Sequence, residues 1–196
     1  MTSIQFTASA LVPIALGFFG LGTGYFIVGG TNLFGFPEPN ESTNKTLGLW
    51  GIWMPGFLQF VTGTYLWIGL TWFDVFKDPV LYMAALAFTA YGVHWFVLGF
   101  KMYRGYDDRP DAWMGIAFGL ISLLGAIVFY GAGDVPVGIL FTGLVLIYLF
   151  EISARFTGSE LYERGVSTFQ VLTGIWLLYL AYAATVNTAL GWHWWL

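Results

Sequence analysis

Charged residues punctuate this chain instead of alternating with apolar ones. Uncharged stretches run over 1–37, 46–73, 79–100, 112–133, 135–150 and 165–196. Within them the apolar runs are continuous, and crossing hydrocarbon as a helix takes about 20 such residues. A helix satisfies its own backbone hydrogen bonds, which lipid requires of any spanning segment. The pattern predicts an all-α polytopic membrane protein with six transmembrane helices, about 9–30, 48–72, 80–102, 112–131, 136–155 and 168–190, in a single domain over 1–196. A β-barrel is disfavoured, because its strands would alternate apolar and polar positions. The fifth stretch reaches spanning length only if Glu151 and Arg155 lie near a membrane face. Pro136 suits the first turn of that helix. Glu151 and Arg155, four residues apart, are expected to pair there.

Composition narrows the picture. Hydrophobic residues make up 58% of the 196 and charged residues 9%, against about 25% charged in a soluble domain. So few ions cannot cover a water-facing surface, which excludes a soluble enzyme and a nucleic-acid binder. Two histidines and no cysteine leave no basis for a transition-metal site, and no catalytic motif is present, so neither cofactor nor enzymatic activity is expected. Lys45, Lys101, Arg104, Arg109, Arg155 and Arg164 fall in alternate connectors, with Lys77 alone on the other side. The loop-charge rule therefore puts those connectors in the cytoplasm and both termini outside. Gly20 with Gly24, and Gly115 with Gly119, are spaced to let helices approach closely.

With charges absent from the spans, their polar residues become the candidates for a path. Gln59 lies in the second span, Thr89, Tyr91 and His94 in the third, and Asn187 in the sixth. Each has a structural alternative. A threonine can return its hydroxyl to its own helix, and Gln59 can join two helices. His94 can be a neutral imidazole bonded to a neighbour or a proton-sensitive gate. No acidic pair lies within a span, which disfavours a carboxylate-relay pump. A pore or carrier for a small solute needs only a few hydroxyl and amide groups with apolar constrictions. Phe18, Phe19 and Tyr91 suit such constrictions.

Four segments resemble the acetate uptake transporter family of the succinate–acetate permease type. Pro13-Ile-Ala-Leu-Gly-Phe-Phe-Gly-Leu-Gly-Thr23 is similar to its N-terminal signature, with Ala10 and Leu11 standing where that signature has Asn and Pro. Gly56-Phe-Leu-Gln59 followed by Gly63 resembles its Gly-x-x-Gln-x-x-x-Gly pattern. Ala87-Phe-Thr-Ala-Tyr91-Gly-Val-His-Trp95 resembles its Phe-Thr-Ser-Tyr-Gly-x-x-Trp pattern, and Tyr179-Leu-Ala followed by Asn187 is a weaker match. The resemblance implies a homohexamer in the plasma membrane. Each subunit would conduct acetate and related monocarboxylates, passively or with a proton, past a constriction of Phe19, Tyr91 and Phe141. It also implies cytoplasmic termini, opposite to the loop charges. The urea/amide channel family is a second resemblance, through Asp108-Arg-Pro110 with Trp113, Glu151 and the Trp-rich C-terminus. A non-transporting membrane subunit of a larger complex is the third reading.

Overall fold

The computed structural model describes residues 14–196. Residues 9–13 of the predicted first span, with Ala10, Leu11 and Pro13, lie outside the described residues. The helices are α1 (Ile14–Phe34), α2 (Glu41–Gly51), a π-helical segment (Ile52–Phe57), α3 (Leu58–Thr71), α4 (Val80–Arg104), α5 (Asp111–Gly131), α6 (Val135–Thr157) and α7 (Glu160–Leu190). Among the described residues five of these, α1 and α4 to α7, are singly long and apolar enough to cross a membrane. The sixth crossing is composite: α2, the π segment and α3 follow one another without a break.

Local chemistry sets these boundaries. The Asn40 side chain accepts from the Thr43 amide at 2.9 Å and starts α2. Asp134 accepts from the Val137 amide at 3.1 Å and starts α6, with Pro136 in its first turn. Glycines in left-handed conformation end α4 (Gly105, φ 68°) and α6 (Gly158, φ 64°). Pro55, inside the π segment, has no amide hydrogen for the helical ladder, and the wider turn absorbs that loss.

Close backbone approach organises the packing. A Cβ added to Gly24 would stand 2.5 Å from the Pro55 ring, and one on Gly20 2.7 Å from the Met54 carbonyl, so α1 lies directly on the π segment. Gly48 on α2 and Gly99 on α4 meet at the same range, each facing the other's carbonyl. The predicted Gly115 and Gly119 pair is looser. Their added Cβ atoms would meet Ile152 at 3.1 Å and Tyr148 at 3.5 Å. α1 also packs along α7, and α5 along α6, where Phe129 stacks on Phe141 at 5.2 Å.

Phe18, Leu21, Tyr25, Leu66, Tyr91, Leu144, Tyr148 and Leu177 form the interior. Outside, Leu120, Ile127, Val97, Leu149 and Leu172 are exposed. An apolar surface this extensive is what a lipid-facing bundle presents. The chain is an all-α integral membrane fold.

Candidate conduction path

A cavity of about 100 Å³ opens at the end of the bundle where α4 and α6 begin. Asp78 and Asp134 stand at its mouth. Asp78 accepts from the Val80 amide at 3.0 Å, as Asp134 does from Val137. The walls are Phe18 and Leu21 of α1, Ala84, Ala87 and Phe88 of α4, Phe129 of α5, Leu140, Phe141 and Leu144 of α6, and Leu177 of α7. The two alanines, one turn apart, leave the room that larger residues would fill.

Gln59 and Tyr91 supply the polar groups deep in this cavity. The Tyr91 and Ser122 hydroxyls are 2.7 Å apart, and Ser122 donates to the Phe118 carbonyl at 2.7 Å. The phenol O–H therefore donates to Ser122. Gln59 is 1% exposed, yet its Oε1 has no hydrogen-bond partner among the described residues. A buried unpaired amide oxygen costs about 1–3 kcal/mol.

A second cavity, of about 290 Å³, lies toward the opposite end and is lined by Val28, Trp95, Lys101, Glu151, Arg155 and Gln170, among others. On three helices the two cavities are seven residues apart, from Leu21 to Val28, Leu144 to Glu151 and Gln170 to Leu177. That is about 10 Å of helix rise. Tyr25 and Tyr148 occupy the layer between. Tyr148 stacks on Tyr91 at 6.2 Å, and Tyr25 meets the Trp95 ring edge-on at 5.5 Å. Two chambers separated by an aromatic layer thus share one axis.

Of the residues picked from sequence, Gln59, Tyr91 and Phe141 line the first cavity. Phe18 takes the place expected for Phe19, which is half-buried and packs against the core away from the cavity. The register of α1 on α7 and the π segment turns Phe18 inward. Thr89 and His94 border a lateral groove beside α5 instead. The Thr89 hydroxyl donates to the Ala85 carbonyl at 2.8 Å and accepts from Trp67 Nε1 at 3.1 Å. His94 lies against the Phe118 ring at 4.3 Å. Asn187 brackets the C-terminal segment: its Nδ2 donates to the Trp194 carbonyl at 2.9 Å and its Oδ1 accepts the Trp194 amide at 2.7 Å. The expected Glu151–Arg155 pair does not form, because Arg155 turns to Asp108 at 3.1 Å and Glu163 at 2.5 Å. Those acids lie on neighbouring segments that the fold brings to it. Asp78, Asp134 and Gln170 line these cavities without having been singled out from the sequence, and Trp95 stood there only as the end of a motif. Among the described residues no group of three or more His, Asp or Glu side chains is arranged to hold a metal ion.

The acidic mouth has a thermodynamic signature. Burial raises the Asp134 carboxyl above the usual aspartate value, the nearby Asp78 charge adds to this, and the Val137 amide opposes it. The folded chain thus binds this proton more tightly than the unfolded one. Its contribution to stability falls as pH rises from the ordinary value of about 3.9 through the raised one. Asp134→Asn keeps a capping side chain and should flatten that part of the pH profile of thermal unfolding in detergent. An unchanged slope would show that the carboxyl is not held up by the fold.

No family model matches the chain, and no curated protein matches it. Among solved structures, the bacterial acetate channel SatP is similar with a TM-score of 0.69 at 20% identity, over 91% of this chain and 94% of that one. The segments that resemble acetate uptake transporters in sequence therefore sit in a fold shared with a bacterial acetate channel.

Proposed function

We propose that this protein is a membrane channel for acetate and related short monocarboxylates, along the axis from Asp78 and Asp134, past Gln59 and Tyr91, to the cavity at Arg155. The observation that carries this reading is Gln59, whose Oε1 has no hydrogen-bond partner among the described residues, beside Tyr91 in a cavity that is mostly apolar inside its acidic mouth. The cavity's size suits a solute of a few heavy atoms, since one water needs about 10–15 Å³ of such space. The carboxamide offers N–H to a carboxylate oxygen and its own oxygen to an acid O–H. The fold shared with an acetate channel supports the same reading. In this proposal the subunits assemble as a homo-oligomer, a hexamer by the family resemblance, in the plasma membrane.

One observation favours a second reading, a channel for urea or short amides. Lys101 and Arg155, the cations that line the path, are already paired with Asp111 and with Asp108 and Glu163. An anion therefore meets no unanswered positive charge. Uptake of labelled acetate against labelled urea into proteoliposomes, at acidic and neutral pH, separates the two. Acetate flux is expected to dominate. Urea flux without acetate flux would replace the first reading with the second. Absence of both would leave a non-transporting membrane subunit.

A further inference from the structure

α5 packs along α6 but meets α4 only sparsely. The Tyr91–Ser122 hydrogen bond joins α4 to α5 at depth, and the ion pair of Lys101 with Asp111 joins them beside their connecting loop. Between these helices an outward-facing groove of about 680 Å³ runs from Trp67 and Leu86 to Pro110. Val93 and Met114, on opposite walls, are each 48% exposed. The Thr89 hydroxyl on its wall is already paired with Ala85 and Trp67. Bilayer hydrocarbon holds no water to fill such a space, which leaves it to an acyl chain or to another protein surface.

The charged end of the groove decides between them. Val93 and Val97 belong to a stripe that continues along α4 to Phe100 and Arg104, at steps of four, three and four residues. The Arg104 guanidinium lies over the Phe100 ring, 5.5 Å from its centre. Five other charged residues lie between 101 and 111, and each is paired: Lys101 with Asp111, Asp107 with Arg109, and Asp108 with Arg155. Arg104 is exposed and has no carboxylate partner among the described residues.

We propose that the groove between α4 and α5 seats one acyl chain of an anionic phospholipid, whose phosphate meets Arg104. The dimensions fit. Ala90, near the middle of α4, lies about 16 Å of helix rise from Lys101, and half the hydrocarbon of a bilayer is about 15 Å. Arg104 lies about 21 Å from Ala90, and the headgroup layer ends about 20–22 Å from the midplane. An exposed arginine is ordinary by itself. This one is the unanswered cation at the end of an apolar stripe, at headgroup depth. The site is separate from the conduction path and does not depend on the transport reading.

The test is native mass spectrometry of the purified full chain in detergent, with dioleoylphosphatidylglycerol or dioleoylphosphatidylcholine at matched concentrations. The two lipids share chains and phosphate, but only the first has a net charge. One spectrum counts the lipids retained per subunit and reads the state of assembly. One phosphatidylglycerol should be retained about 5-fold more tightly than phosphatidylcholine, the worth of one cation beside anionic headgroups. Arg104→Gln should abolish that preference and leave phosphatidylcholine retention as it was. Val93→Trp and, from the opposite wall, Met114→Trp fill the groove and should each lower retention of both lipids. Arg104→Gln alters an exposed side chain and decides the headgroup contact even if neither groove variant folds. Equal retention of the two lipids by the unaltered protein would overturn the proposal, as would a preference that survives Arg104→Gln. Lipid retention indifferent to both groove substitutions would overturn it too. If they dissociate an assembly instead, the occupant is a second copy of this chain.

Discussion

Gln59→Leu should lower acetate flux through proteoliposomes by about 10- to 100-fold while the protein folds as before. Its Oε1 is buried without a hydrogen-bond partner among the described residues, and its side chain lines the first cavity. A hydrogen bond to a charged group is worth about 1.5–3 kcal/mol, which sets that range. An acetate carboxylate passing Phe18, Leu21 and Leu144 finds few other groups to replace its lost water. Leucine approximates the shape of glutamine and brings no unsatisfied atom into the core. Thermal stability in detergent should therefore hold or rise, because a buried unpaired amide is itself a cost. Flux measured beside the melting temperature separates a transport effect from a folding one. Unchanged flux in a stable variant would remove Gln59 from the path and the main support for the proposed route.

The second large effect concerns packing. Gly48→Ala should destabilise the protein by about 1–3 kcal/mol or more, the range for overfilling a well-packed contact. The added Cβ would stand 2.5 Å from the Gly99 carbonyl and 2.6 Å from the Tyr103 amide, both backbone atoms with no rotamer to yield. α2 would have to leave α4, and the π segment that follows would move with it. Because Gln59 lies just beyond that segment, transport should fall together with stability. Gly30→Ala is the matched comparison, since nothing lies within 4 Å of its added Cβ. It should be neutral or stabilising by about 0.4–1 kcal/mol, through the unfolded chain. Equal melting temperatures for the two variants would show that α2 and α4 do not touch through Gly48 and Gly99.

The medium and the number of crossings were legible without coordinates. Eighteen charges, seven basic and eleven acidic, cluster between long apolar runs, and only helices tolerate such runs in lipid. The start of the helix after residue 134 was legible from Pro136, which suits a first turn. The composite second crossing was not. The sequence marks its apolar part, 48–72, but the polar start at Glu41 reads as loop. Asn40 caps α2 there, and the Gly48–Gly99 contact holds it against α4.

What the sequence alone determined is therefore a bundle of apolar helices with a handful of polar residues within them. Tertiary structure decided which face of each helix looks inward. It chose Phe18 over Phe19, turned Tyr91 to the cavity and His94 to a lateral groove, and gave Arg155 to Asp108 and Glu163 instead of Glu151. In water the polar side of a helix identifies its outer face. In lipid the surroundings are as apolar as the interior, so that signal vanishes. Facing is set instead by where glycine backbones fit together, a property of pairs of segments far apart along the chain.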